Sequence, residues 1–243
     1  MGEYIGRKTI VVMPVANEGR TIADVFEIIL SLYDDIFIYP VIDKRSKDNT
    51  EQIIDTYSYA SYERVRKIWK SRTSGLAACY ICGIKAALES GATYIIEMNA
   101  GMRHDPRELP LFIDKLNEGY DCVFSTRFSD GGSEIDTPMK RRLISKGGTI
   151  FSNIVLGTKL SDMTGGYSAF NAKVLRNMDL DSFLSKGRMF QTEMRYYCRN
   201  FNCVEVPITY RSSGNDLKPG TVKKAFKTLF KIKDNEDSIF SGK

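Results

Sequence analysis

An α/β fold with a mostly parallel sheet is what this sequence predicts, and three observations carry that expectation. Strand-length apolar runs alternate with helical periods through about residue 130, no segment repeats, and the composition is that of an ordinary globular domain. With 243 residues, 42% hydrophobic and 27% charged, one domain is expected, together with a short C-terminal appendage. The best apolar runs, Thr9–Ala16 and Ile36–Ile42, are too short for a spanning helix, which needs about 20 apolar residues.

The elements follow in order. Thr9–Pro14 reads as a buried strand, and Thr21–Leu32 as a helix with Ile22, Val25, Phe26 and Ile29 on one face. Ile36–Asp43 is the second strand, followed by a polar turn and a helix over Asp48–Tyr59. Val65–Trp69 is a short strand, Gly75–Ser90 a helix and Tyr94–Met98 a strand. Pro106–Glu118 is a helix and Cys122–Thr126 the fifth strand. Strands spaced this way form right-handed βαβ units, whose ligands bind beyond the carboxyl ends of the strands.

The net charge of +5 comes from 35 Lys and Arg against 30 Asp and Glu. The cations cluster at Lys140, Arg141, Arg142 and Lys146, and again from Lys218 to Lys233. Such clusters favour an anionic substrate or surface. Five cysteines, an odd number, read as reduced thiols of a cytoplasmic protein, and no apolar core follows Met1–Lys8 to mark secretion. The single histidine, His104, excludes chemistry that needs two imidazoles.

Polar loops follow four of the strands. They are Pro14–Glu18, Asp43–Thr50, Met98–Pro106 and Ser125–Gly132. Turn residues alone explain any one such loop; several at one end of a sheet point to a site. Neither a Gly-x-Gly-x-x-Gly nor a Gly-x-x-x-x-Gly-Lys is present, so dinucleotide and P-loop readings fail.

In this order the loops resemble those of the family 2 glycosyltransferases of the GT-A fold, in the dolichol-phosphate (polyprenyl-phosphate) mannosyltransferase branch. The resemblance rests on Val11–Glu18, Asp43–Thr50, Gly75–Gly83, Ser125–Phe128, Ser161–Tyr167, Phe190–Met194 and Val204–Ile208. It implies a GT-A domain over 1–220, with a basic amphipathic helix and tail over 221–243. It further implies an inverting transferase that moves a sugar from GDP-mannose or a UDP-sugar to a polyprenyl phosphate. Donor binding then falls to Pro14, Ala16, Glu18, Asp43, Lys44, Arg72, Asn99 and Gly101. Acceptor binding falls to Arg142, Ser145, Gln191, Arg211 and Lys218, with Arg127 also set against the acceptor phosphate.

The sequence departs from that family where its metal-binding Asp-x-Asp falls. Asn99-Ala100-Gly101 supplies one neutral carbonyl and no carboxylate, whereas Mg²⁺ or Mn²⁺ wants anionic oxygens. Asn99 is the remaining metal candidate, and the site is open between a divalent ion and a metal-independent donor site. In the second case Arg103, with Lys44 or Arg45, neutralises the leaving diphosphate, since a guanidinium fork suits phosphate oxygens. A phosphate acceptor needs no base; a hydroxyl acceptor does, and Asp162 is the candidate. Two alternatives stand beside the leading one: a transferase acting on a hydroxyl such as that of a hydroxymethylated DNA base, and an inactive nucleotide-sugar-binding homologue. Val222, Phe226, Leu229 and Phe230 lie at helical spacing among lysines, which suits peripheral contact with an anionic membrane, a nucleic-acid backbone or packing on the domain.

Overall fold

Strand β1 (Thr9–Val15) is a continuous apolar run with hydrogen-bonded parallel neighbours on both sides, the pattern of a strand covered on both faces. The computed structural model describes residues 8–61, 63–69, 75–212 and 221–240. Its main sheet combines β1 with β2 (Ile36–Ile42), β3 (Ile68–Trp69), β4 (Tyr94–Glu97), β5 (Cys122–Thr126), β7 (Ser168–Asn171) and β8 (Cys203–Pro207). The order is β3-β2-β1-β4-β7-β5-β8, and β7 alone runs antiparallel to its neighbours. Two short strands, β6 (Ser133–Ile135) and β9 (Thr209–Arg211), form a separate parallel ribbon beside the carboxyl ends.

Alternate residues of the strands feed two cores. Val11, Met13 and Val15 pack with α1 (Ile22–Leu32), Ile54 of α2 (Thr50–Ala60) and α4 (Leu109–Asn117). Ile10 and Val12 pack with α3 (Leu76–Glu89), α5 (Met139–Leu156), α6 (Ala172–Arg176) and α7 (Met189–Cys198). Sheet residues alternate between faces with period two, so the one apolar run serves both layers. The face of α1 is the expected one: Ile22, Val25, Phe26 and Ile29 are all buried.

Two expectations are corrected in detail, and an open one is narrowed. The third strand shrinks to two residues, with Val65 reaching Ile38 only as an isolated bridge. The helix expected from Pro106 starts as a 3₁₀ turn, Pro106–Glu108, capped by the Asp105 side chain on the Arg107 N–H. Of the three readings open for the C-terminal segment, packing on the domain is met in part by α8 (Thr221–Asp234) and α9 (Glu236–Phe240). Leu229, Ile232 and Ile239 are buried in the same core as α3 and α7, so this part of the amphipathic face is spent on the domain itself. Phe230 remains exposed; the side chains of Val222 and Phe226 lie outside the described residues.

Candidate functional site

The loops after β1 and β2 are laced together. Asn17, with φ of 57°, accepts from the Lys47 N–H at 2.9 Å through Oδ1, and its own N–H donates to Ser46 Oγ. The N–H groups of Glu18 and Gly19 donate to Thr50 and Asp48. This lacing holds Asp43 at the end of β2, where it is 3% exposed. Arg45 closes over it with Nε at 2.9 Å from Oδ1 and Nη2 at 2.6 Å from Oδ2, and the Gly75 N–H donates to Oδ2 at 2.7 Å. Burial alone would raise the Asp43 carboxyl; the hydrogen bonds from Arg45 and Gly75 outweigh it and hold the pKa at about 2. Arg45, expected to face a diphosphate, is thereby committed to Asp43, while Lys44 is exposed and Pro14 and Ala16 are half-buried beside it.

The loop after β4 carries Asn99, Gly101 and Arg103. A Cβ on Gly101 would stand 2.8 Å from Glu18 Oε2, so the Glu18 carboxylate occupies the space a side chain at 101 would enter. Burial raises the Glu18 carboxyl, against the pull of Arg103. The donor set at 99, 101 and 103 is one neutral amide, no side chain and one cation. Among the described residues no group of three His, Cys, Asp or Glu is placed to hold a metal. These residues do not fit a divalent ion. His104 is fully buried between Tyr167 and Tyr210, and accepts the Asn99 N–H at 3.4 Å through Nδ1. Burial and the nearby arginines push its pKa down to about 3, so it stays neutral and shapes the loop.

Beyond β5 the arrangement is rigid. Arg127 grips Asp162 through two hydrogen bonds, Nε to Oδ2 at 2.7 Å and Nη2 to Oδ1 at 2.9 Å. Its Nη2 also donates to Thr164 Oγ1 and its Nη1 to Glu134 Oε1 at 3.2 Å. The Phe128 and Tyr210 rings flank its guanidinium. Arg142 reaches the same Glu134 at 3.6 Å, so one buried carboxylate joins the two arginines. Burial would raise Asp162; Arg127 more than reverses this, leaving the carboxylate ionised, buried and engaged.

The remaining expected residues are scattered. Ser145 is half-buried on α5, one turn from Arg142, and Arg211 is exposed, 3.4 Å from Asp136. Arg72 and Lys218 lie outside the described residues. Gln191 is 2% exposed on α7 and donates to Glu97 Oε2 at 3.0 Å.

Two further residues of note stand outside the expected set of site residues. Glu97 ends β4 facing α7; burial raises its pKa to about 8, against Gln191 and Arg195. A lone carboxylate closing an apolar strand was its signal. Arg188, just before α7, had no signal beyond being a cation in a polar turn.

The family model described as glycosyl transferase family 2 matches residues 10–179. The chain belongs to this family. It is a glycosyltransferase, and it is similar to the polyprenol monophosphomannose synthase of Mycolicibacterium smegmatis, 30% identical over 90% of this chain and 86% of that one. It also matches the undecaprenyl-phosphate mannosyltransferase of Micrococcus luteus, 36% identical over 70% of each. Among solved structures, glucosyl-3-phosphoglycerate synthase from Mycobacterium tuberculosis, in complex with phosphoglyceric acid, superposes with a TM-score of 0.70. That match covers 94% of this glycosyltransferase and 81% of the other chain at 17% identity, a likeness of fold. Another structure of that synthase, with Mn²⁺, UDP and glucosyl-3-phosphoglycerate, gives 0.69. The architecture is GT-A: a mostly parallel sheet, covered by helices, with the polar loops at its carboxyl ends.

Proposed function

We propose that this glycosyltransferase moves a sugar from a nucleotide-sugar, GDP-mannose or a UDP-sugar, to a polyprenyl phosphate with inversion and without a divalent metal. The observation that carries the acceptor class is the Arg127–Glu134–Arg142 cluster. It sets one fixed guanidinium and one half-exposed one side by side, a pairing suited to phosphate oxygens. The mannosyltransferase relatives bear polyprenol or undecaprenyl phosphate in their names, which supports the same reading.

In this reading Asp43 receives the nucleobase once Arg45 swings aside, and Arg103 faces the diphosphate. An acceptor phosphate oxygen, already ionised, attacks the anomeric carbon opposite the leaving group. The new C–O bond forms as the bond to the nucleoside diphosphate breaks, and the electron pair departs on the diphosphate. One displacement inverts the carbon. No base is called for, and Asp162 serves by fixing Arg127. A hydroxyl acceptor such as a modified DNA base is disfavoured, because the base it needs is this same engaged carboxylate.

Contact with the membrane is assigned to α5, in place of α8. Its Met139, Leu143, Ile150 and Ile154 are exposed along one side, among Lys140, Arg141, Arg142 and Lys146, and the helix holds no carboxylate. Apolar residues among cations suit an anionic interface, and Arg142 joins this helix to the acceptor cluster. No described helix is long and apolar enough to cross a membrane.

The test is transfer of labelled sugar from GDP-mannose or UDP-glucose into an organic-extractable product with undecaprenyl phosphate. Label in the organic phase from one donor is expected; none from either would refute the acceptor assignment. Sedimentation with phosphatidylglycerol vesicles should fall for Leu143→Glu and Ile150→Glu relative to the unaltered chain. Equal sedimentation would remove α5 from the interface.

A further inference from the structure

We propose that a cavity near the amino ends of β5 and β8 binds a small organic phosphate, its phosphate group held by Arg195 and Lys159. The cavity has a volume of about 370 Å³, within the range of small-molecule sites. One wall is Cys203, which begins β8 beside Cys122, the first residue of β5. The loop of Arg127 leaves the other end of these strands, where Thr126 pairs with Pro207. Neither Asp43, Arg103 nor Arg127 lines the cavity, so the proposal does not depend on the function proposed above.

Arg195 is the unusual member of the lining. It is 0% exposed on α7, and its guanidinium lies 4.8 Å from the centre of the Phe124 ring. Its Nη1 donates to the carbonyl and to the Oε1 of Gln191, at 3.3 and 3.4 Å. Its Nε and Nη2 have no hydrogen-bond partner among the described residues. These two atoms form one edge of the guanidinium, the edge that takes two phosphate oxygens at once. A buried charged donor without a partner is costly, so buried charges are paired or hydrogen-bonded as a rule. The carboxylates nearby are engaged elsewhere. Asp162 is bound by Arg127, and Glu205 accepts the Ser161 and Asp162 N–H groups at 2.8 and 3.1 Å. Glu97 accepts from Gln191. Burial lowers the pKa of Arg195, and these three carboxylates oppose it without bonding to it.

The rest of the lining suits an anion. Lys159 and Asn200 are exposed and mark the open side, while Phe124, Thr158 and Arg195 are buried and mark the inner end. Lys159 makes no ion pair among the described residues. Arg199 also lines the cavity, but its Nη2 is closed onto Glu236 at 2.6 and 2.7 Å. Free carbonyls at the end of α7 would repel an anion, and two of them are taken. That of Tyr196 accepts from Arg199 Nη1, and that of Cys198 from Cys203 Sγ. Among the described residues no carboxylate lines the cavity. Phe124 and Leu160 add an apolar wall for a short organic body.

The experiment is iodoacetamide labelling of Cys203, resolved by peptide mass spectrometry, with inorganic phosphate, phosphoglycolate or glycolate at constant ionic strength. Cys203 is half-buried in the cavity wall, so an occupant slows its alkylation; Cys82, half-buried on α3, is the internal control. Phosphate and phosphoglycolate should slow Cys203 by about tenfold at about ten times the dissociation constant, by mass action, and leave Cys82 unchanged. Glycolate should slow neither. Lys159→Ala should weaken phosphoglycolate by about tenfold, the loss expected for one charged hydrogen bond. Asn200→Asp, which adds a carboxylate at the open side, should abolish the protection. Both positions are exposed, so their melting temperatures should not move. Arg195→Met, which keeps the bulk without the charge, should also abolish it; the two surface variants decide the matter if that chain does not fold. Arg142→Ala, at the acceptor cluster, should leave the protection unchanged. Protection by neither phosphate nor phosphoglycolate would show that the Arg195 edge is satisfied internally, beside the unpartnered Ser125 Oγ, and would overturn the proposal. Protection that survives both surface variants overturns it as well. Glycolate acting as strongly as phosphoglycolate would assign the cavity to carboxylates and overturn it too.

Discussion

Two carboxylate–arginine pairs stand at the two ends of the site, and they differ in one respect. At the β2 end the arginine of Asp43–Arg45 is 62% exposed in its side chain, whereas at the β5 end Arg127 of Arg127–Asp162 is 9% exposed. An exposed guanidinium leaves its partner at little cost, because water replaces the lost bonds. A buried one cannot, since separation strands a charge in a dry interior. In the proposed reading the Arg45 side chain is therefore a cover that a ligand can displace from Asp43. The Asp162 pair is a fixed base plate that aims Arg127.

Breaking the fixed pair should have the largest effect. Arg127→Ala removes a guanidinium proposed to meet the acceptor and leaves Asp162 buried without its arginine partner. Loss of a preorganised electrostatic partner costs about 10²–10³ in rate. Removing one member of a buried pair costs about 3–5 kcal/mol of stability. Transfer rate and melting temperature should fall together. A fall in rate with unchanged melting would show that the pair is not structural.

Asp43→Ala should weaken nucleotide-sugar binding by about tenfold, as expected for a hydrogen bond to a charged group. Unchanged affinity would make Asp43 a capping residue only.

Acidity sharpens the contrast between Asp43 and a third carboxylate, Glu97. The native pKa of Asp43, about 2, lies below its ordinary 3.8. Its stabilisation is present above pH 4 and lost as pH falls toward 2. The native pKa of Glu97, about 8, lies above its ordinary 4.5, so its contribution is full at low pH and lost as pH rises from 4.5 to 8. The melting temperature of Glu97→Gln, relative to the unaltered chain, should therefore climb between pH 5 and 8. A flat difference would show that Glu97 is ionised in the fold.

The smallest effect belongs to the cover. Arg45→Ala should change stability by less than about 1 kcal/mol, as for other exposed pairs. Donor affinity should rise slightly, because the base no longer displaces a guanidinium. A marked loss of affinity would instead place Arg45 on the ligand.

The strand-helix alternation was legible because β1, β2 and β5 are largely apolar, and Asp43 and Arg127 were legible because they directly follow such strands. Contacts made across the fold were not. Nothing local shows that the Glu18 carboxylate fills the space beside Gly101, or that Glu134 lies between Arg127 and Arg142. Helix α7 defeats periodicity outright: Gln191, Thr192, Glu193 and Arg195 are buried as fully as Phe190 and Met194. Gln191 is bonded to Glu97, Thr192 to the Met163 carbonyl and Glu193 to two backbone N–H groups, so polarity there does not mark a solvent face. The amphipathic pattern of α8 was legible, but the pattern alone did not choose between a membrane, a nucleic acid and its own domain, where Leu229 and Ile232 are buried.

The central claim, that cations have taken over from the metal, is tested most directly by the transfer reaction in excess EDTA. The organic-extractable sugar product should form at a rate within about twofold of that with Mn²⁺, and Arg103→Ala should reduce it by about 10²-fold, the usual cost of one lost electrostatic partner. Transfer that vanishes in EDTA and returns with Mn²⁺ would contradict the account, and would require an ion held by Asn99, Glu18 or the donor itself.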